Sequence, residues 1–123
     1  AIELNPDNST ALCLLGGVLN EQNNPECVSY YEKSLEKNEN CYLAYRGLGN
    51  FYLKNQQFDK SEQKYTLAIK INENRFGPIY KNRGYVRQQQ NKMDDAKQDY
   101  QDYIKFTPNA KDRGIIERAL NEM

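Results

Sequence analysis

Histidine and tryptophan are absent from these 123 residues, and methionine occurs only twice. Histidine is the side chain best suited to general acid–base work near neutral pH and the commonest metal ligand. The chain also lacks H-E-x-x-H, a phosphate-cradling glycine loop and a G-x-S-x-G elbow, each of which would place chemistry at a helix or turn. Adjacent carboxylates such as Asp94 and Asp95 point in different directions on a helix and form no acid–base pair. These absences argue against an enzyme. The three cysteines, Cys13, Cys27 and Cys41, lie fourteen residues apart with no C-x-x-C pair. A zinc site is disfavoured, no cofactor or metal is expected, and the odd count fits a reducing, cytoplasmic setting. Apolar runs last a few residues, against the roughly 20 needed to cross a bilayer. Neither sign of charge is in excess, with 17 basic and 17 acidic residues. The basic surplus of nucleic-acid and anionic-membrane binders is missing. No secretory signal is recognisable, and a start at Ala1 suits a piece excised from a longer protein.

Tyrosine, by contrast, is abundant at ten residues, and it recurs on a period. Leu15-Gly16 is followed 33 residues later by Leu48-Gly49, and 35 after that by Arg83-Gly84. Leu12, Tyr45 and Tyr80 stand three residues before each leading member; Leu19, Tyr52 and Arg87 stand three after each glycine. A second series runs in parallel. The small residues Cys27, Ser61 and Ala96 are each followed four residues on by Tyr31, Tyr65 and Tyr100, then three on by Ser34, Ala68 and Tyr103. Both series have helical spacing. Polar breaks at 21–24, 55–57 and 90–92 divide each copy, and breaks at 38–40, 72–74 and 107–109 separate copies. The expected helices are 9–21, 25–37, 42–54, 58–71, 77–89, 93–106 and 110–122, with Pro25 in the first turn of the second.

This pattern resembles the tetratricopeptide repeat, W-x2-L-G-x2-Y followed by small, aromatic and small residues and often proline. The middle copy fits best through Tyr45, Leu48, Gly49, Tyr52, Ser61, Tyr65 and Ala68. The third fits through Tyr80, Gly84, Ala96, Tyr100 and Pro108, and the first more weakly. The resemblance implies an all-α, right-handed α-solenoid of three helix-turn-helix repeats with a C-terminal capping helix. The corresponding parts are 1–8, the tail of a preceding repeat or an extension; 9–41, 42–76 and 77–110, the repeats; and 111–123, the cap. Departures are a first copy one residue short between its helices, an extra residue near Phe76, and Tyr103 at a position that is small in the family. Ile116, Ala119, Leu120 and Met123 share one face of the last segment, as a cap requires.

The repeat explains why glycine is held inside "YRGLGNFY" although it costs a helix about 1 kcal/mol relative to alanine. Gly49 is expected to face Ser61 where two antiparallel helices approach closest. Gly47 is not served by this contact and is assigned to the groove side. Charges in "EQKY" (62–65) and "DDAKQDY" (94–100) read as solvated helix exteriors.

In such a stack the first helices line a concave face. A rotation of 100° per residue from the buried stripe places Leu43, Arg46, Asn50 and Leu53 on that face in the middle copy. It places Thr10, Cys13, Gly17 and Asn20 there in the first, and Pro78, Lys81, Tyr85 and Gln88, with Asn82 beside them, in the third. The candidate groove is therefore Arg46, Asn50, Lys81, Asn82 and Tyr85. Asparagine can bond backbone donors and acceptors alike, and the cations attract a carboxylate. The expected partner is a peptide or protein segment, with no nucleic acid or membrane, and self-association is an alternative occupant. Some family members clamp acidic chaperone tails with five residues. Arg46, Asn50 and Asn82 resemble three of these, but the remaining two positions hold Asp112 and Ile116 where bases belong. The reading is a non-catalytic adaptor module, with a co-chaperone role or service as the regulatory arm of a larger enzyme as alternatives.

Overall fold

The computed structural model describes residues 8–72 and 77–123. They form α1 (Ser9–Glu21), α2 (Cys27–Lys37), α3 (Tyr42–Lys54), α4 (Phe58–Asn72), α5 (Pro78–Gln89), α6 (Met93–Phe106) and α7 (Arg113–Glu122). No strand occurs among the described residues. The chain is an all-α helical-repeat solenoid. Helices pair as α1 with α2, α3 with α4, and α5 with α6, while α1–α3 and α4–α5 contacts join successive pairs. The reading of residues 1–6 as a repeat tail, and of Phe76 as an inserted residue, falls outside the described residues.

The turn inside each pair is built the same way three times. Asn23, Gln56 and Asn91 adopt left-handed backbone with φ of 57°, 59° and 62°. Each lets the next amide reach back five residues: Asn24 to the Leu19 carbonyl at 2.8 Å, Gln57 to Tyr52 at 2.9 Å and Lys92 to Arg87 at 2.8 Å. This is the double-bonded helix stop that satisfies orphan carbonyls. The residue missing from the first copy is absorbed just after it. Val28 and Ser29 bond back only three residues, to Pro25 and Glu26, and regular helix begins at Cys27, with Glu26 as its cap. Pro25 therefore precedes α2 instead of occupying its first turn. At the other end α7 starts at Arg113, later than expected, behind turns at 108–109 and 111–112.

The core lies between helices as two clusters. One gathers Cys13, Cys27, Tyr31, Cys41, Ala44 and Leu48. The other gathers Tyr65, Ala68, Ile79, Tyr80, Val86, Ala96, Tyr100, Tyr103 and Ile116, with Leu120 and Met123 against it. Full burial of each large apolar side chain contributes roughly 1.5–3 kcal/mol. Tyr45 and Tyr52 are only half-buried. Tyr103 is accommodated without loss, because its hydroxyl reaches Asp112 at 2.5 Å ahead of α7.

Each helix pair closes around one glycine and one tyrosine. The space a Cβ would fill at Gly16, Gly49 and Gly84 holds the rings of Tyr31, Tyr65 and Tyr100, respectively. Ser61 does touch Gly49, donating its hydroxyl to the glycine carbonyl at 2.8 Å, but the ring of Tyr65 is what excludes a side chain. Gly47 is tighter still. A Cβ there would lie 2.3 Å from Cζ of Tyr31, so Gly47 admits the tyrosine of the preceding repeat.

The charges of α4 and α6 are not all solvated. Asp99 is fully buried. Arg83 grips it bidentately, Nε to Oδ2 at 2.9 Å and Nη2 to Oδ1 at 2.7 Å, and Arg87 adds Nη1 to Oδ2 at 3.0 Å. Arg87 also bonds Glu62 at 2.9 Å, and Lys92 bonds Glu62 at 2.8 Å. The sequence explains this correction. Arg83 and Arg87 stand where the middle copy has Leu48 and Tyr52, and Asp99 stands where it has Lys64. Two arginines placed in the interhelical stripe require a buried anion, because an unpaired buried charge is costly. Burial alone would raise the Glu62 pKa, but hydrogen bonds from Lys92 and Arg87 outweigh it and hold the carboxyl below its usual value of 4.5. A depressed carboxyl stabilises the fold above its unfolded pKa and loses that contribution as pH falls through the folded one. Urea midpoints should therefore be flat above about pH 5 and fall below 4.5. Glu62→Gln should lower the neutral midpoint and shrink that acid loss; an unchanged acid slope would show that Glu62 is not coupled to its cations.

Candidate functional site

Side chains of α1 and α3, the ends of two second-helix tyrosines and one residue of α5 enclose an open hollow of about 610 Å³. Its wall includes Arg46, Asn50 and Asn82 from the candidate groove. Cys13, Gly17, Asn20, Leu43 and Leu53, placed on this face by rotation, border it as well, whereas Thr10 does not. Lys81 and Tyr85 do not border the hollow. Lys81 turns to Asp112, with Nζ 2.9 Å from Oδ2, and its ammonium stacks over the Tyr103 ring at 5.2 Å. Bonds from Lys81 and Tyr103 hold the Asp112 carboxyl below the usual range. Tyr85 is 47% exposed rather than packed against a neighbouring repeat. By repeat register Lys81 follows Arg46, and Tyr85 follows Asn50, so both continue the face toward its C-terminal end.

The floor was not legible from the repeat pattern. Tyr31 and Tyr65 satisfy the core with their rings and present their outer ends to the hollow. The Tyr65 hydroxyl donates to Oδ1 of Asn50, which holds that amide in place at the hollow. Burial raises the pKa of both tyrosines, so each stays a neutral donor. Arg46 leans over the Tyr42 ring at 5.7 Å. Asn20 donates to the Gly47 carbonyl at 3.2 Å, and Lys54 caps the end of α1 through the Asn20 carbonyl at 2.7 Å. Both asparagine and lysine thus fasten the first repeat to the second.

A further feature is an apolar shelf. Leu14 is 45% exposed, Val18 50% and Leu43 37%, and all three edge the hollow. Leu14 and Val18 are one turn apart on α1, outside the buried stripe. Exposed aliphatic residues clustered at a concavity mark contact surface. The site therefore has two chemistries side by side: an aliphatic edge on α1 and α3, and a polar wall of Arg46, Asn50 and Asn82, with Asn20, Glu21 and Lys54 at one end.

No family model matches the chain. An uncharacterized protein of Haemophilus influenzae is 27% identical over 82 residues, covering 66% of this chain and 45% of that protein. The chain thus spans less than half the length of that relative. Among solved structures, the first TPR domain of human RPAP3 superposes with a TM-score of 0.84 at 21% identity, over 96% of this chain and 93% of that one. The first TPR of Spaghetti (RPAP3), bound to the HSP90 peptide SRMEEVD, gives 0.85 at 20% identity, over 99% and 97%. The Arabidopsis OM64 TPR domain gives 0.83 at 20% identity, over 95% and 97%. At these identities the likeness speaks to the fold. The chain has the tetratricopeptide-repeat fold.

Proposed function

We propose that this chain is a non-catalytic protein-interaction module that holds an extended peptide segment along its trough. The observation that carries the reading is the aliphatic shelf of Leu14, Val18 and Leu43 beside Arg46, Asn50 and Asn82 around one hollow. A fitting segment carries a carboxylate for Arg46 and apolar side chains for the shelf, with its backbone bonded by the two amides. A hydrogen bond to a charged group contributes about 1.5–3 kcal/mol. Lys81 and Tyr85 extend the face for a longer segment.

A displayed library of random peptides with free C termini, selected on the immobilised chain, tests this. It should return segments that pair a carboxylate with aliphatic residues. Calorimetry on a selected peptide should show at least a tenfold loss in Arg46→Ala/Asn82→Ala, with far-ultraviolet circular dichroism unchanged. No enrichment, or unchanged affinity in the double variant, contradicts the proposal.

The co-chaperone reading is favoured by the same three residues and opposed by Asp112, which neutralises Lys81 and holds an acid at a clamp position that calls for a base. SRMEEVD, the peptide held by the Spaghetti domain, is accordingly expected to bind weakly here. Asp112→Asn should strengthen it severalfold by releasing Lys81. Tight binding by the parent chain would support the co-chaperone reading instead.

A further inference from the structure

Cys13 and Cys41 are 28 residues apart in sequence, yet their sulfurs meet at 3.1 Å in the buried seam between α1 and the start of α3. The Ser34 hydroxyl sits 2.9 Å from Cys13 Sγ and 3.5 Å from Cys41 Sγ, and the Ser9 hydroxyl lies 2.7 Å from that of Ser34. Packing alone does not require two thiols and two hydroxyls to converge. The two thiols are also unlike. Cys41 is the N-cap of α3, where the helix's unpaired amides favour negative charge. Burial alone would raise its pKa, but the Ser34 hydroxyl and the Cys13 thiol outweigh that and hold it below the usual thiol value. Burial pushes Cys13 up to about 12. Its place at the α3 N-terminus and the hydroxyl that Ser34 directs at its sulfur mark Cys41 as the nucleophile of the pair. Cys41 does not border the trough, but it touches Cys13, which does, so a small oxidant reaches the pair from the Cys13 side.

We propose that Cys13 and Cys41 are a reversible disulfide-forming pair, oxidised by hydrogen peroxide or a similarly small peroxide. The Cys41 thiolate attacks one peroxide oxygen. The O–O bond breaks, and the departing hydroxide is protonated to water, leaving a sulfenic acid on Cys41. The Cys13 sulfur then attacks the Cys41 sulfur; the S–O bond breaks and its hydroxide leaves as water with the Cys13 proton. Two thiols and one peroxide become one disulfide and two waters. The sulfurs need to close by about 1 Å to reach bonding distance. The bond ties α1 directly to the start of α3 at the edge of the trough, and a dithiol reductant reverses it.

Peroxide treatment of the purified native chain, followed by intact mass and non-reducing peptide mapping, tests this. The expected results are a loss of two hydrogens, a free-thiol titre falling from three to one, a Cys13–Cys41 cross-linked peptide and full reversal by dithiothreitol. Cys27→Ser should oxidise identically. Cys13→Ala should stop at a Cys41 sulfenic acid that dimedone traps. Persistence of three thiols, a link involving Cys27, or intermolecular dimers as the main product would overturn the proposal.

Discussion

Asp99→Ala should cost about 3–5 kcal/mol of folding stability. The carboxylate is fully buried and accepts three hydrogen bonds from two arginines. Truncation leaves both guanidiniums facing a low-dielectric seam among α4, α5 and α6, with Glu62 still bonded to Arg87. A domain of this size is stable by roughly 5–15 kcal/mol, so the loss threatens folding at physiological temperature. A urea titration with unchanged slope and a strongly lowered midpoint is the expected measurement. The network is a local substitute for an apolar stripe, so replacing it whole should be tolerated. Arg83→Leu and Arg87→Tyr give the third repeat the stripe residues of the second, and Asp99→Leu removes the buried carboxylate along with its cations. The triple variant should match or exceed the parent in stability, since buried ion networks seldom outperform well-packed apolar residues. A mild effect of Asp99→Ala alone would show that the arginines find solvent, and the assignment of Asp99 as their obligatory partner would fail.

Gly47→Ala should be the most damaging single methyl addition in the first two repeats. Its Cβ would come 2.3 Å from Cζ and 2.5 Å from both Cε1 and Oη of Tyr31. Retreat is blocked, because Gly16 bears on the same ring, its own Cβ position only 2.8 Å from Cε1. Overpacking of this kind typically costs about 1–3 kcal/mol. The Gly47 backbone also accepts the Asn20 amide, so displacement of α3 would break a second tie between repeats. The cause is specific to the ring, and a double-mutant cycle isolates it. In a Tyr31→Leu background the same Gly47→Ala change should cost markedly less in thermal melts. Equal cost in both backgrounds would mean that the glycine serves backbone conformation instead of the ring.

These two sites show what the sequence makes legible and what it hides. The period of small and aromatic residues was enough to place seven helices and their pairing, because each repeat must bury the same stripe against its neighbour. Gly49 was assigned to the right contact between helices, but Ser61 received the role that belongs to Tyr65: the period says which residues face each other, not how far a ring reaches. Gly47 was assigned to the groove side and borders the hollow, but its ring contact was invisible to a within-repeat argument, since that ring is the tyrosine of the repeat before. Asp99 read as a solvated charge because single-helix patterning treats every carboxylate alike. Its signal was the coincident loss of Leu48 and Tyr52 equivalents to arginine, a comparison between copies. In the trough, helical rotation placed Arg46, Asn50, Lys81 and Tyr85 on a common face with Asn82 beside them, and Arg46, Asn50 and Asn82 border the hollow. Rotation had no means of showing that Lys81 pairs with Asp112 across the start of α7, or that Leu14 and Val18 form an edge.

The central claim is that the shared face of the first helices, and not the outer face of the second, receives a partner segment. Titration of the ¹⁵N-labelled chain with a library-selected peptide, followed by amide chemical shifts, addresses it directly. The account predicts that the largest shifts fall on Gly17, Val18, Arg46, Asn50 and Asn82, and that Arg46→Ala/Asn82→Ala abolishes them. Shifts centred on the exposed faces of α2, α4 and α6, for instance at Glu32, Gln63 and Gln98, would contradict it.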